Sequence, residues 1–433
     1  MSKLAVNGGA PVRPATKTWP SWPVSDEKDA KLIADITRSN RWSYDGPYEW
    51  KFAKDFATYH KSKFGLCCAN GTIAIQIALE ALGVGAFDEV IVPGMTWQAT
   101  AAAVADVNAL PILVDVEPET WCLDVKKVEA AITKKTKAVI VVHLYGSMTN
   151  MTALKALCKK KGLYLIEDVA HQHGAFWNGK GAGTLGDIGC FSFQESKVLS
   201  SGEGGFNMCQ DKVLFERLYS LRNCGRGWQD DFTNAIQSGN YRLTEWQAAI
   251  LLGGLGRLDK QCKTRDANAQ YLNAKLAKIP GILPMLRRKE ITQASYFNFA
   301  FRLDWNALEA NKGVTNSHFA AALSAELGMW FEPPYDPLNK CPIYKPLSKP
   351  RHKIGADYWK RLDPKKYPMP VATDANGKSG VVTHHRTLLG TKKDMDDIAK
   401  AVAKVVENIG ELNPEGPKAA RKKYRSLTSA MGI

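Results

Sequence analysis

No stretch of this sequence is apolar for long enough to cross a bilayer. The first twenty residues, MSKLAVNGGAPVRPATKTWP, contain no apolar signal-peptide core. Both absences predict a soluble, cytoplasmic chain. Cysteine is present but unorganised: nine thiols are scattered, only Cys67 and Cys68 adjoin, and there is no CxxC pair. That argues against a disulfide framework and against a zinc site, so the thiols read as reduced and structural and no metal is expected. No internal repeat occurs. Acid is scarce relative to base, with 58 Lys and Arg against 43 Asp and Glu, a net charge of +15. The excess falls in Lys159–Lys161, Lys345–Lys366 and Lys418–Arg425. A basic regulator bound to DNA is the obvious rival reading. These short clusters carry no aromatic stacking motif and no nucleic-acid module, so nucleic acid is not expected as a partner. A solvated surface fits them best, and a field that draws in anionic substrates is second.

What the sequence does have is alternation. From Phe64 to Ile166, short apolar runs alternate with helical patterns: Phe64–Cys68, Glu89–Pro93, Leu110–Val116, Ala138–Leu144 and Leu163–Ile166 read as strands. Runs of this kind are buried on both faces, which predicts an α/β fold with a mostly parallel sheet between helices. The 433 residues suffice for two domains. The expected division is an N-terminal segment and large domain over 1–265, a smaller α+β domain over 266–412, and a basic tail over 413–433. A long Pro- and Lys-rich stretch runs from Glu332 to Pro370, and loops of that length are usually functional or mobile.

The chemistry concentrates between Leu163 and Met208. One apolar run ends in Glu167 and Asp168, and a second, Ile188–Phe193, leads to a lone lysine, Lys197. In open α/β sheets that edge is where ligands bind. Most lysines are solvated surface groups. This one is ringed by Ser192, Ser196, Ser200, Ser201 and glycines instead of charged neighbours. A buried lysine can form a Schiff base with a carbonyl, and a buried aspartate can hold a pyridinium nitrogen charged. The pair suggests pyridoxal 5'-phosphate (PLP). Asn70-Gly71-Thr72 stands where a strand gives way to a helix, a place suited to phosphate, although taken alone it reads better as a plain helix cap. Ser192 can add a phosphate contact. Trp97 can stack on a flat ring or serve as core. His171, three residues after Asp168, can frame a cofactor or simply bond to backbone.

These motifs resemble the DegT/DnrJ/EryC1/StrS sugar aminotransferases, which are fold-type I PLP enzymes. The matching pieces are NGT at Asn70, VPGMTW at Val92, VVHLYG at Val141, EDVAHQHGA at Glu167, FSFQESKVLSSGEGG at Phe191 and GNYRLTEWQAA at Gly239. LAVNGGAPVR at Leu4, YDPLNKCPIYKP at Tyr335 and THHRTLLG at Thr383 are similar to the branch that aminates cyclitol ketones with glutamine. The amino-hydroxybenzoate synthases are similar in FSFQ and HHR. The resemblance implies a large domain with a mostly parallel seven-stranded sheet and a smaller α+β domain. It implies Lys197 as the Schiff-base lysine, Asp168 at the pyridine nitrogen, Trp97 on the ring, His171 beside it, and Gly71, Thr72 and Ser192 at the phosphate. Asn240 would reach the phosphate of a neighbouring subunit, so a homodimer is implied. Tyr335, His384 and His385 are candidate substrate contacts. The expected reaction moves an amino group from L-glutamine or L-glutamate to a keto-cyclitol or keto-sugar. A nucleotide-linked keto-sugar, or chemistry like that of the amino-hydroxybenzoate synthases, is the alternative.

Overall fold

The computed structural model describes residues 3–44 and 46–418. Most of the expected basic tail, 419–433, lies outside them. The alternation read from the sequence becomes a seven-stranded sheet. Its strands are β1 (Phe64–Cys68), β2 (Glu89–Pro93), β3 (Leu110–Val114), β4 (Thr136–Val142), β5 (Tyr164–Asp168), β6 (Ile188–Ser192) and β7 (Gly205–Cys209). They lie in the order β1-β7-β6-β5-β4-β2-β3. Only β7 is reversed, pairing antiparallel with both β1 and β6.

Every residue of β2 and β3 is buried, as expected where helices cover both faces of a parallel sheet. The covering helices include α1 (Glu27–Ser39), α2 (Pro47–His60), α3 (Gly71–Ala81), α4 (Ala99–Asp106), α5 (Val125–Ala131), α6 (Met151–Lys161) and α7 (Lys212–Arg222). Side-chain caps fix several starts. Asn70 Oδ1 accepts from Ile73 N at 2.9 Å and starts α3, while Asn150 Oδ1 accepts from Ala153 N at 3.1 Å and starts α6.

Several elements differ from expectation, β4 and β5 by about two residues at their ends. Helix α4 begins at Ala99, because Thr96–Gln98 form the turn out of β2. Strand β3 stops at Val114, two residues early, because the Asp115 carboxylate accepts from the Val371 and Ala372 amides. Strand β7 was not expected between Gly205 and the helix Lys212–Arg222. The long stretch from Glu332 to Pro370 is broken by short helical turns, including Ala356–Arg361, and pins itself to β2 through the Arg361–Glu89 ion pair and to the end of α4 through Lys349–Asp106.

Helix α8 (Glu245–Leu276) follows, 32 residues without interruption, so position 265 falls inside one helix. Beyond it a four-stranded antiparallel sheet contains β8 (Ile282–Pro284), β9 (Asn298–Leu303), β10 (Phe331–Glu332) and β11 (Gly380–His384), in the order β8-β9-β11-β10. It packs with α9 (Asn316–Leu327) and α10 (Lys392–Glu407). The start of the chain bonds to these late elements. Ala5 N and Val12 N donate to the buried Glu326 carboxylate, and Arg13 pairs with Asp394 and Asp397.

Candidate active site

A cavity of about 790 Å³ opens at the edge where β2, β5 and β6 end. The chain delivers its chemistry there through strand periodicity. Successive strand residues face opposite ways, so the two acids that close β5 part company. Glu167 turns from the cavity and is fully buried. Its carboxylate accepts from the Gly183, Leu185 and Gly186 amides at 2.9, 2.6 and 2.7 Å, and meets His143 Nε2 at 3.1 Å. Burial opposes its charge, but these donors hold its carboxyl below the usual range.

Asp168 faces the cavity. Its Oδ2 accepts from Thr100 Oγ1 at 2.9 Å and its Oδ1 from Ala170 N at 3.1 Å. Burial pushes its pKa up, and the two donors and the charge of Lys197 resist that push. Lys197 stands in the loop between β6 and β7, 8% exposed, with its ammonium 4.2 Å from the centre of the Phe297 ring. Burial lowers its pKa to about 8, with Asp168 pulling the other way. An amine so placed is easily deprotonated near neutrality.

The first turn of α3 forms another wall. The leading N–H groups of a helix have no partner inside it, so Gly71 and Thr72 offer an anion cradle. Gly71 is required by closeness: a Cβ there would stand 2.7 Å from Ser192 Cβ. Trp97 is 49% exposed and lines the cavity, so it is not a core residue. His171 is buried, its ring stacked on Phe297 at 4.0 Å and Tyr145 at 5.6 Å. Burial, then the charges of Lys197 and His173, hold it neutral, with its pKa well below the usual value. Its Nε2 lies 3.4 Å from the Tyr335 hydroxyl, while its Nδ1 is buried without a hydrogen-bond partner.

Eight of the expected residues therefore share one cavity: Gly71, Thr72, Trp97, Asp168, His171, Ser192, Lys197 and Tyr335. Three do not. Asn240 is exposed on the loop before α8, its Oδ1 accepting from Arg242 N at 3.3 Å. His384 ends β11 and packs against Trp330 at 6.0 Å. His385 is fully buried behind the lysine loop. Three residues of the site escaped the sequence reading. Thr100 had one available signal, its four-residue spacing from Thr96 across the turn into α4, and the two hydroxyls lie 2.9 Å apart. Tyr145 stands inside the VVHLYG motif, which does not say that its ring meets His171, and Phe297 had no signal, because its place at the site depends on how distant elements pack.

The model of the DegT/DnrJ/EryC1/StrS aminotransferase family matches residues 23–361, which is most of the chain and includes Asp168 and Lys197. The chain belongs to this family. It is an aminotransferase. Among its relatives, an L-glutamine:2-deoxy-scyllo-inosose aminotransferase from Streptoalloteichus tenebrarius is 41% identical over 425 residues, covering 94% of this chain and 99% of that protein. The crystal structure of 3-amino-5-hydroxybenzoic acid synthase superposes with a TM-score of 0.78 at 30% identity, covering 90% of this chain and 99% of that one. A protein from Streptococcus pneumoniae named as a sugar aminotransferase, solved in its PLP form, shares the fold with a TM-score of 0.76 at 22% identity, covering 91% and 99%.

Proposed function

We propose that this family member binds PLP and transfers an amino group from glutamine or glutamate to a keto-cyclitol. One observation carries the cofactor reading: a lysine whose pKa burial lowers to about 8 and a buried aspartate occupy one cavity with an anion cradle. The unpartnered Nδ1 of His171 gives the same cavity a polar atom in want of a ligand. PLP, when bound, supplies an electron sink for the charge left at a donor's α-carbon.

The protein's own groups divide the remaining work. The Gly71 and Thr72 amides and the Ser192 hydroxyl hold the phosphate. Asp168 holds a proton on the pyridine nitrogen, and Thr100 keeps its carboxylate in place. Trp97 shields one face of the ring. Lys197 Nζ would anchor the cofactor and, once free, would take the proton from the donor's α-carbon as a general base and, as an acid, would pass it to the cofactor's carbon. Donor and acceptor use the same amine in turn, so ping-pong kinetics are expected.

The acceptor follows from charge. Among the described residues Lys197 is the sole Lys or Arg on the cavity wall, where Gln76, Gln194 and Thr96 add neutral polar groups. A ring of hydroxyls finds hydrogen bonds there, whereas a sugar-linked diphosphate finds no Lys or Arg besides Lys197 among the described residues of the cavity wall. The relative that acts on 2-deoxy-scyllo-inosose points the same way. Asn240 lies exposed and off the cavity, which suits a residue lent to a second copy in a homodimer.

The test is a pair of half-reactions. Enzyme loaded with PLP is offered glutamine, glutamate and alanine, and the resulting amine form is then offered keto-cyclitols and nucleotide-linked keto-sugars. Bleaching by glutamine and recovery of colour with keto-cyclitols alone are expected. Recovery only with nucleotide sugars would overturn the acceptor reading, and the absence of any visible chromophore would overturn the cofactor reading.

A further inference from the structure

The loop that carries Lys197 is closed by its own backbone and serine bonds, among them Ser201 N to Phe193 O and Ser200 Oγ to Phe193 O, but none of these takes the carbonyls just before the lysine. Phe193 N donates to Gly204 O, Glu195 N to Gly202 O and Lys197 N to Gln194 O, each at 2.8 Å. The carbonyls of Glu195 and Ser196, immediately before the lysine, are instead taken from outside. Trp22 Nε1 donates to Glu195 O at 3.1 Å, and His385 Nε2 meets Ser196 O at 3.1 Å. A carbonyl only accepts, so the His385 proton must sit on Nε2. The two donors come from near opposite ends of the chain, 173 and 189 residues from their acceptors. They also form one block. Their rings meet edge to face at 4.5 Å, and the fully buried Arg265 guanidinium lies 5.2 Å from the Trp22 ring.

We propose that Trp22 and His385 are positioning residues, which fix the backbone at Glu195 and Ser196 so that the Lys197 side chain alone moves during the reaction. The proposal rests on the reading of Lys197 as the reacting amine. Val198 and Leu199 anchor the loop after the lysine, but Glu195 and Ser196 before it bring no apolar side chain to the core, so the backbone there is held by these outside donors. The clamp is also stable to pH. Burial, His384 and Arg265 keep His385 neutral, and its Nε2–H donates in the neutral ring as it would in the cation. Neither residue lines the cavity, so each acts through the loop. A reacting group displaced by about 1 Å can lose two orders of magnitude in rate. Two hydrogen bonds on consecutive residues are the means by which this chain avoids that loss.

The experiment uses full-length His385→Phe and Trp22→Phe, which keep an aromatic ring and remove the donor, and His385→Asn, which keeps a side-chain N–H. Peptide-resolved hydrogen exchange is followed on the cofactor-free protein, and the glutamine half-reaction on the loaded protein. Both Phe variants are expected to speed exchange across residues 194–201 by about fivefold to tenfold, the worth of one hydrogen bond. Peptides from β2 and β4 should not change. The half-reaction rate constant should fall by a similar factor at unchanged glutamine affinity, with part of the loss restored in His385→Asn. Wild-type exchange across 194–201 in both Phe variants would overturn the proposal. Lys197→Ala is run alongside: if it still transaminates, the underlying reading of Lys197 fails, whatever the exchange data show.

Discussion

Thr100 Oγ1 donates to Asp168 Oδ2 at 2.9 Å, and Thr96 Oγ1 lies 2.9 Å behind it. The relay matters because Asp168 is buried, and burial alone drives a carboxyl toward its neutral form. Thr100→Val keeps the volume and removes the donor. A hydrogen bond to a charged group is worth about 1.5–3 kcal/mol. The variant should therefore lose roughly tenfold to a hundredfold in turnover, with the loss greatest at low pH, where Asp168 protonates sooner. A pH–rate profile checks this. An unshifted acid limb would show that Asp168 does not depend on Thr100.

Burying Lys197 costs stability in a pH window that can be named. Its pKa is about 8 in the folded chain and 10.5 ordinarily. Between those values the unfolded chain binds more protons, so stability rises with pH there, and the cost is fully present below the folded value. Cofactor-free Lys197→Met should melt above the wild type at neutral pH. The gap should close as pH climbs from about 8 toward 10.5. Calorimetry across that range provides the check, and a gap independent of pH would contradict it.

Gly71→Ala tests the phosphate cradle. The added methyl would stand 2.7 Å from Ser192 Cβ, closer than carbon atoms normally come. Relieving an overlap of this kind costs about 1–3 kcal/mol. PLP affinity should fall by roughly tenfold or more, because the displaced groups are the ones that face the phosphate. Equilibrium titration with PLP measures the change, and an undiminished affinity would remove Gly71 from the site.

Glu167 should be needed for folding and not for chemistry. Its carboxylate closes three amides of residues 183–186 and His143. Its folded pKa is depressed, so its contribution is present above the ordinary carboxyl range and is lost as pH falls below it. Removing one partner of a buried charged cluster costs about 3–5 kcal/mol. Glu167→Gln should lower the unfolding free energy by that amount, read from denaturant titration, and whatever fraction remains folded should retain the PLP absorbance of the wild type.

The strands beneath the site were legible because burial on both faces leaves unbroken apolar runs, as in Glu89–Pro93. Strand β7 was not, since Asn207 interrupts its pattern. That polar side chain is satisfied only in the fold, where its amide donates to Ala74 O at 2.8 Å. Asp168 and Lys197 were legible because each follows such a run. Phe297 was not, because it reaches the lysine from just before β9 of the second sheet. The HHR motif could be seen, but no periodicity tells which face of the lysine loop His385 approaches.

Helix α8 has mechanical consequences. Its 32 residues make a rod roughly 48 Å long at 1.5 Å per residue. The segment bearing Asn240 joins its head at Thr244, and the second sheet begins just past its foot at Leu276. A rod in one piece cannot flex at its middle without breaking backbone hydrogen bonds. Any rocking of the second sheet against the first must pivot beyond Leu276, and a push at that end is felt undiminished at the other.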